Sequence, residues 1–179
     1  MSLPKERKRL RIMPGGKRSD RISKRDLEVL EFIARFGVVP RGAVAAWAGT
    51  ARTVTIVRES RLRNAELIEV VRGHGELGPV SVATKDGLSA SGRRDLKAIR
   101  VSARALSHDT VVARLAAELE GGGERLLSER EIVSTERAAG ERMLSAQRWG
   151  GRCHRSDLIR LGEDGEPVEA IEVELTTKG

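Results

Sequence analysis

Residues 23–64 read SKRDLEVLEFIARFGVVPRGAVAAWAGTARTVTIVRESRLRN, and the punctuation of this stretch decides the N-terminal fold. Ser23 is an N-cap candidate, with Asp26 three residues on as an acidic first-turn residue. Leu27, Leu30, Ile33 and Ala34 recur at helical spacing, which predicts a first helix over Lys24–Phe36 closed by Gly37. Pro40 is set to start a second helix near Arg41, packed through Ala43, Val44, Ala46 and Trp47. After the tight turn Ala48-Gly49-Thr50, a third helix is expected from Ala51 or Arg52 to Asn64. Its inward residues are read as Val54, Val57 and Leu62, which leaves Arg52, Thr53, Thr55, Arg58 and Arg61 outside.

Directly behind the third helix stand Leu67-Ile68-Glu69-Val70-Val71, a Gly-rich turn over residues 73–78, and Pro79-Val80-Ser81-Val82-Ala83. This pattern predicts a β-hairpin whose tip offers Arg72 and His74. Residues 84–92 read as a short closing helix or turn. Helix, helix, turn, helix and hairpin in this order resemble winged helix-turn-helix domains over residues 23–92. The resemblance implies that the third helix enters a major groove with Arg52, Thr53, Thr55 and Arg58 foremost. Arg61, Arg72 and His74 then lie near phosphate. Two blander readings stay open: a small helical domain with solvated arginines, or a winged helix that binds protein.

The charge distribution favours a polyanion at one end. The formal charge of the whole chain is +7. Residues 1–25 hold ten Lys/Arg against Glu6 and Asp20, a net of +8, whereas residues 105–179 hold ten against fifteen acids, a net of −5. The first 22 residues, with Pro4, Pro14, Gly15 and Gly16 among them, are expected to form a disordered basic arm. Lys17, Arg18 and Arg21 of that arm are candidate DNA contacts.

Composition excludes several classes. The chain has no tyrosine, which rules out tyrosine chemistry on DNA, and aromatics make up only 2% of it, too few for a base-stacking platform. Cys153 is the only cysteine, so there is neither an intramolecular disulfide framework nor a Cys-rich zinc site. Gly121-Gly122-Gly123 lacks the Gly-Lys-Ser/Thr ending of a phosphate loop, so no nucleotide cofactor is expected. Without an apolar run of the ~18 residues a membrane helix needs, or the apolar core of a signal peptide, the chain is read as cytoplasmic with no membrane partner.

Residues 93–104 read as a basic linker, and residues 105–179 as a second unit. Ser107 is expected to cap a helix through Val111, Val112, Leu115, Ala116 and Leu119 that ends at the three glycines. Arg125-Leu126-Leu127 is a short strand and Ser128 caps a further short helix. Residues 138–152 show no clean period and read as a loop with some helix. The chain closes on a hairpin, with Leu158–Leu161, a turn over Gly162–Glu166, and a strand over Val168–Leu175. Asp157 stands at its start, and Glu172 and Glu174 alternate onto one face. Three acids so placed suit a hard divalent cation, and equally suit the solvated face of an edge strand.

The order of these elements is similar to that of the replication-relaxation family of bacterial plasmids, phages and integrative elements. The matching stretches are Leu106-Ser107-His108-Asp109, Ser128-Glu129-Arg130-Glu131, His154-Arg155-Ser156-Asp157 and Glu172-Val173-Glu174-Leu175-Thr176-Thr177-Lys178. The resemblance implies an α+β protein, a winged helix followed by a small domain like the restriction-endonuclease (PD-(D/E)xK) fold. It casts Asp157 and Glu172 as acids holding Mg2+, with Glu129 or Glu131 as a further ligand. The chain departs from the pattern where Glu174 occupies the position of the catalytic lysine; Lys178 lies four residues beyond. A glutamate there opposes the attacked phosphate, so the second unit is expected to be inactive or reduced. The expected function is sequence-specific binding of double-stranded DNA, as a homodimer, in transcription or replication control of a mobile genetic element. The alternative is a metal-dependent DNA endonuclease or relaxation factor targeted by the winged helix.

Overall fold

The first helix begins with a reciprocal cap. The Asp26 amide donates to the Ser23 hydroxyl, and the Asp26 carboxylate accepts from the Ser23 amide at 2.9 Å and hydroxyl at 2.6 Å. In the computed structural model, which describes residues 21–72, 78–142, 144, 146–147 and 153–175, this cap opens α1 over Lys24–Phe36. Gly37 closes α1, and β1 (Val39–Pro40) leads into α2 (Arg41–Ala48). Gly49 then takes a left-handed conformation, φ +59°, which turns the chain toward α3 (Arg52–Asn64). The strands β2 (Ile68–Arg72) and β3 (Pro79–Ala83) follow, then α4 (Lys85–Ala90). All three strands form one antiparallel sheet in the order β1-β3-β2, with Ser81 opposite both Val39 and Val70.

The remainder runs α5 (Leu106–Gly121), β4 (Arg125–Ser128), α6 (Glu129–Ala139), β5 (Ala146–Gln147), β6 (Cys153–His154), β7 (Leu158–Leu161) and β8 (Pro167–Ile171). A second antiparallel sheet is ordered β4-β7-β8. The protein is thus α+β. Three expectations shift. Ser107 does not cap α5, because Leu106 already bonds back to the Ser102 carbonyl and the helix starts before Ser107. The stretch read as a loop with some helix over 138–152 holds the last two residues of α6 and, unexpectedly, the β5 strand, which pairs with β6. The final strand ends at Ile171, so Glu172 and Glu174 lie beyond it.

One core serves both halves. Leu30, Phe32, Ile33, Val44 and Leu62 share a buried cluster with Ala113, Ala116 and Ala117 of α5, Leu126 of β4 and Leu158 of β7. Three alanines on one side of α5 let it lie close against α2 and β1. The expected linker does not separate two cores, since Leu96 is buried in the same cluster. Phe32 sits between Phe36 and Trp47, each with ring centroids 4.8 Å away. Gly87 permits a further close approach, because a Cβ there would stand 1.9 Å from the Leu67 carbonyl oxygen.

Charge crosses the same seam. Arg35, in the last turn of α1, pairs with Glu120 of α5 at 2.8 Å and Glu131 of α6 at 3.0 Å, and donates to the Leu126 carbonyl. Glu131 also accepts from Arg93 and from the Ser128 amide. Trp47 Nε1 donates to Glu120 at 3.0 Å, and Arg130 donates to the carbonyls of Ala34 and Lys97. Burial alone would raise the Glu131 carboxyl, but Arg35, the Ser128 amide and Arg93 outweigh it and hold the group below its ordinary range. Its stabilising contribution is therefore complete above about pH 4 and lost as pH falls through the depressed folded value. Glu131→Ala is expected to cost about 3 kcal/mol in urea unfolding at pH 7, because Arg35 and Arg93 each lose a buried carboxylate partner. That penalty should shrink at acid pH, while Glu169→Ala, in an exposed pair with Arg160, should leave the midpoint unchanged. Equal penalties for the two variants would contradict this account.

Candidate nucleic-acid interface and an acid-lined cavity

The face that α3 turns inward is polar. Thr55 and Leu62 are fully buried and Glu59 is 2% exposed, a set at i, i+4 and i+7. Glu59 is held by Arg41 of α2 and by the Ser81 hydroxyl of β3 at 2.8 Å. Thr55 is within 3.5 Å of the Thr50 hydroxyl. This overturns two expectations. Thr55 cannot face a groove, and Val54 and Val57, read as inward, are 40% and 49% exposed. Leu62 is inward as read.

Arg58 and Arg61 are partly committed elsewhere. Both reach the buried Asp26, at 2.9 Å and 3.8 Å, so they anchor α3 to α1. Burial would raise the Asp26 carboxyl, but its bonds to Ser23 and to Arg58 leave it lowered. The exposed surface of α3 then consists of Arg52, Thr53, Val54, Ile56, Val57, Arg63 and Asn64. Thr53, Val57, Ser60 and Asn64 fall in one row at i, i+4, i+7 and i+11, opposite the buried set. The only acid of α3 is Glu59, so this outward surface carries no carboxylate. Arg72 is exposed at the end of β2, and Arg21 is exposed ahead of α1. Lys17, Arg18, His74 and Lys178 lie outside the described residues.

A cavity of about 200 Å³ opens where the C-terminal end of α1 meets the N-terminal ends of α5 and α6. Asp157 lines it together with His108, Asp109 and Glu129. The Asp157 carboxylate accepts from the Val173 amide at 2.7 Å and lies 3.3 Å from His108 Nε2, while the Glu129 amide bonds to the Asp157 carbonyl. His108 Nδ1 is 3.7 Å from Asp109. Burial, and then the neighbouring Asp157 charge, push the Glu129 carboxyl up. Burial likewise raises Asp109, against the opposing pull of His108. Two helix N-termini offset part of this crowding. Asp109 was missed as a site residue from sequence, although it belongs to the motif at the head of α5.

The residues present do not fit the implied magnesium. Among the described residues, no three His, Cys, Asp or Glu side chains are grouped so as to hold a metal ion. Of the expected acids, Asp157 and Glu129 share the cavity, whereas Glu172 pairs with His154 at 3.1 Å and Glu174 is exposed. Glu131, the other proposed ligand, is consumed by the arginine network. No family model, curated protein or solved structure matches the chain. No helix among the described residues is long and apolar enough to cross a membrane.

The raised acids carry a stability consequence of opposite sign to Glu131. Folding favours the protonated forms of Asp109 and Glu129, so their ionised forms cost stability above the folded values and the cost is relieved as pH falls. Asp109→Asn and Glu129→Gln should therefore melt above the wild type at pH 7, with the difference closing as the solution is acidified. A lower melting temperature at pH 7 for both variants would show that the carboxylates are stabilising in place.

Proposed function

We propose that this protein binds double-stranded DNA in a sequence-selective manner, with α3 as the helix that enters the major groove. One observation carries the reading. The single acid of α3 is turned inward and neutralised by Arg41, so the exposed surface presents Arg52, Arg63, Thr53 and Asn64 with no carboxylate to repel phosphate. The order α1-β1-α2-α3-β2-β3 with a β1-β3-β2 sheet supports the winged helix-turn-helix resemblance. Arg72, exposed at the end of β2, would serve as a phosphate contact on this reading. The charge of residues 1–25 suits the same polyanion. On this reading, Arg58 and Arg61 contribute positive potential and hold α3 in place through Asp26, and Thr55 is a packing residue. By its resemblance to the replication-relaxation family, the protein is a regulator acting on mobile-element DNA.

Binding to duplex DNA should weaken steeply with salt, and Arg52→Ala should flatten the log–log salt slope by about one. Removing residues 1–20 should lower affinity for all sequences by a similar factor and flatten the slope further, with little change in preference. Retention that does not vary with salt would refute the reading. The endonuclease alternative is separated by incubating supercoiled DNA with the protein and Mg2+ or Mn2+. No nicked or linear product is expected; a product that disappears with Asp157→Ala would establish the alternative.

A further inference from the structure

We infer that the outward row of α3 reads thymine, through contact of exposed valine methyls with the thymine C5-methyl group. The inference rests on the DNA-binding reading above and adds what the helix selects. Val57 is the most exposed large apolar side chain of α3, 49% accessible, and it lies at the centre of the row between Thr53 and Asn64. Val54, 40% exposed, stands one turn nearer the N-terminal end, which is the end that approaches base edges when a helix docks in a major groove. The two valines, with Ile56 at 39% exposure, make an apolar spot on the helix, and the arginines around it indicate what it suits. Arg52 is exposed before them, Arg58 and Arg61 flank them, and Arg63 is exposed beyond.

A second protein surface would more readily meet a helix of mixed sign, and the exposed charges of α3 are all positive. The floor of the DNA major groove, walled by phosphates, offers one strongly apolar group, the thymine methyl. The amide of Asn64 and the hydroxyls of Thr53 and Ser60 extend the row with groups that hydrogen-bond base edges; a side-chain amide pairs with adenine N6 and N7. Valines for thymine and an amide for adenine select the same base pair. Asp26 and Glu59 hold the helix so that this row lies on the side away from the domain.

The test begins with selection of bound duplexes from a randomised pool by the full chain. Each thymine of the selected site is then replaced singly by deoxyuridine, which deletes only the methyl. At one or more positions the wild type should lose about fourfold in affinity, the worth of a single buried methyl. Val57→Ala, alone or with Val54→Ala, should bring the thymine-to-uracil ratio to one at those positions and leave the salt slope unchanged. Because both valines are exposed, the variants should keep the wild-type melting temperature. Equal affinity for thymine and uracil at every position, in a protein that still binds duplex DNA with a steep salt dependence, would overturn the inference and leave the DNA-binding reading standing. Failure to retain any duplex at low salt would overturn both. Association with a protein that Val57→Ala abolishes, with the thymine preference intact, would assign the valines to that partner and defeat the inference.

Discussion

The Arg35 guanidinium joins parts of the chain nearly a hundred residues apart. It lies at the end of α1, where a cation is favoured by the helix dipole, and it faces two carboxylates on helices that belong to the other half of the chain. Charges this deep are costly to desolvate, and the cost is met only when each lone pair and N–H has a partner. Glu131 has Arg35, Arg93 and the Ser128 amide; Arg35 has Glu120, Glu131 and the Leu126 carbonyl. None of these sets can form unless both halves are present and in register. The alanine face of α5 acts in the same direction through packing, so the first three helices and the second sheet stand or fall together.

A different constraint governs α3. A helix that presents positive potential must still be tied to its domain, and a buried arginine or glutamate needs a counter-ion. Both demands are met by placing the acids behind the helix. Asp26 on α1 receives Arg58 and Arg61 from one side, and Glu59 receives Arg41 and Ser81 on the other. Each ion pair thus anchors the helix while removing negative charge from its exposed surface. Polar burial of this kind is directional, unlike packing of Val against Leu, so it fixes the rotation of α3 about its own axis.

That rotation was the part of the fold hardest to read from sequence. The caps of Ser23 and Ser128, the glycine stops and the spacing of Leu30 and Ile33 are local signals, and they placed α1, α2, α3 and the hairpins closely. The facing of α3 is not local. Val54, Val57 and Leu62 cover a wider arc of the helix than Thr55, Glu59 and Leu62, but hydrophobicity favours the first set. The second prevails because Arg41 and Ser81, brought near by the β1-β3 pairing, satisfy Glu59. The C-terminal hairpin shows a related limit. Its two strands and turn were legible, but its length was not, because the Val173 amide bonds to the Asp157 side chain instead of extending a ladder. This also explains why the acids did not gather as the strand alternation implied. Glu172 falls past the strand, beside His154, and the cavity joins Asp157 to carboxylates from α5 and α6.

The split of α3 into a fixed face and an outward row has a consequence for how such a protein diversifies. Thr55 and Glu59 are bound by Thr50, Arg41 and Ser81, and Leu62 sits in the buried core, so these positions tolerate little change. Thr53, Val57 and Asn64 are exposed on the opposite side of the helix, so substitutions there are expected to be nearly additive with the fold. A lineage could therefore exchange these few side chains, one helical turn at a time, without renegotiating stability. On the DNA-binding reading proposed above, the scaffold would persist while its preferred target drifted.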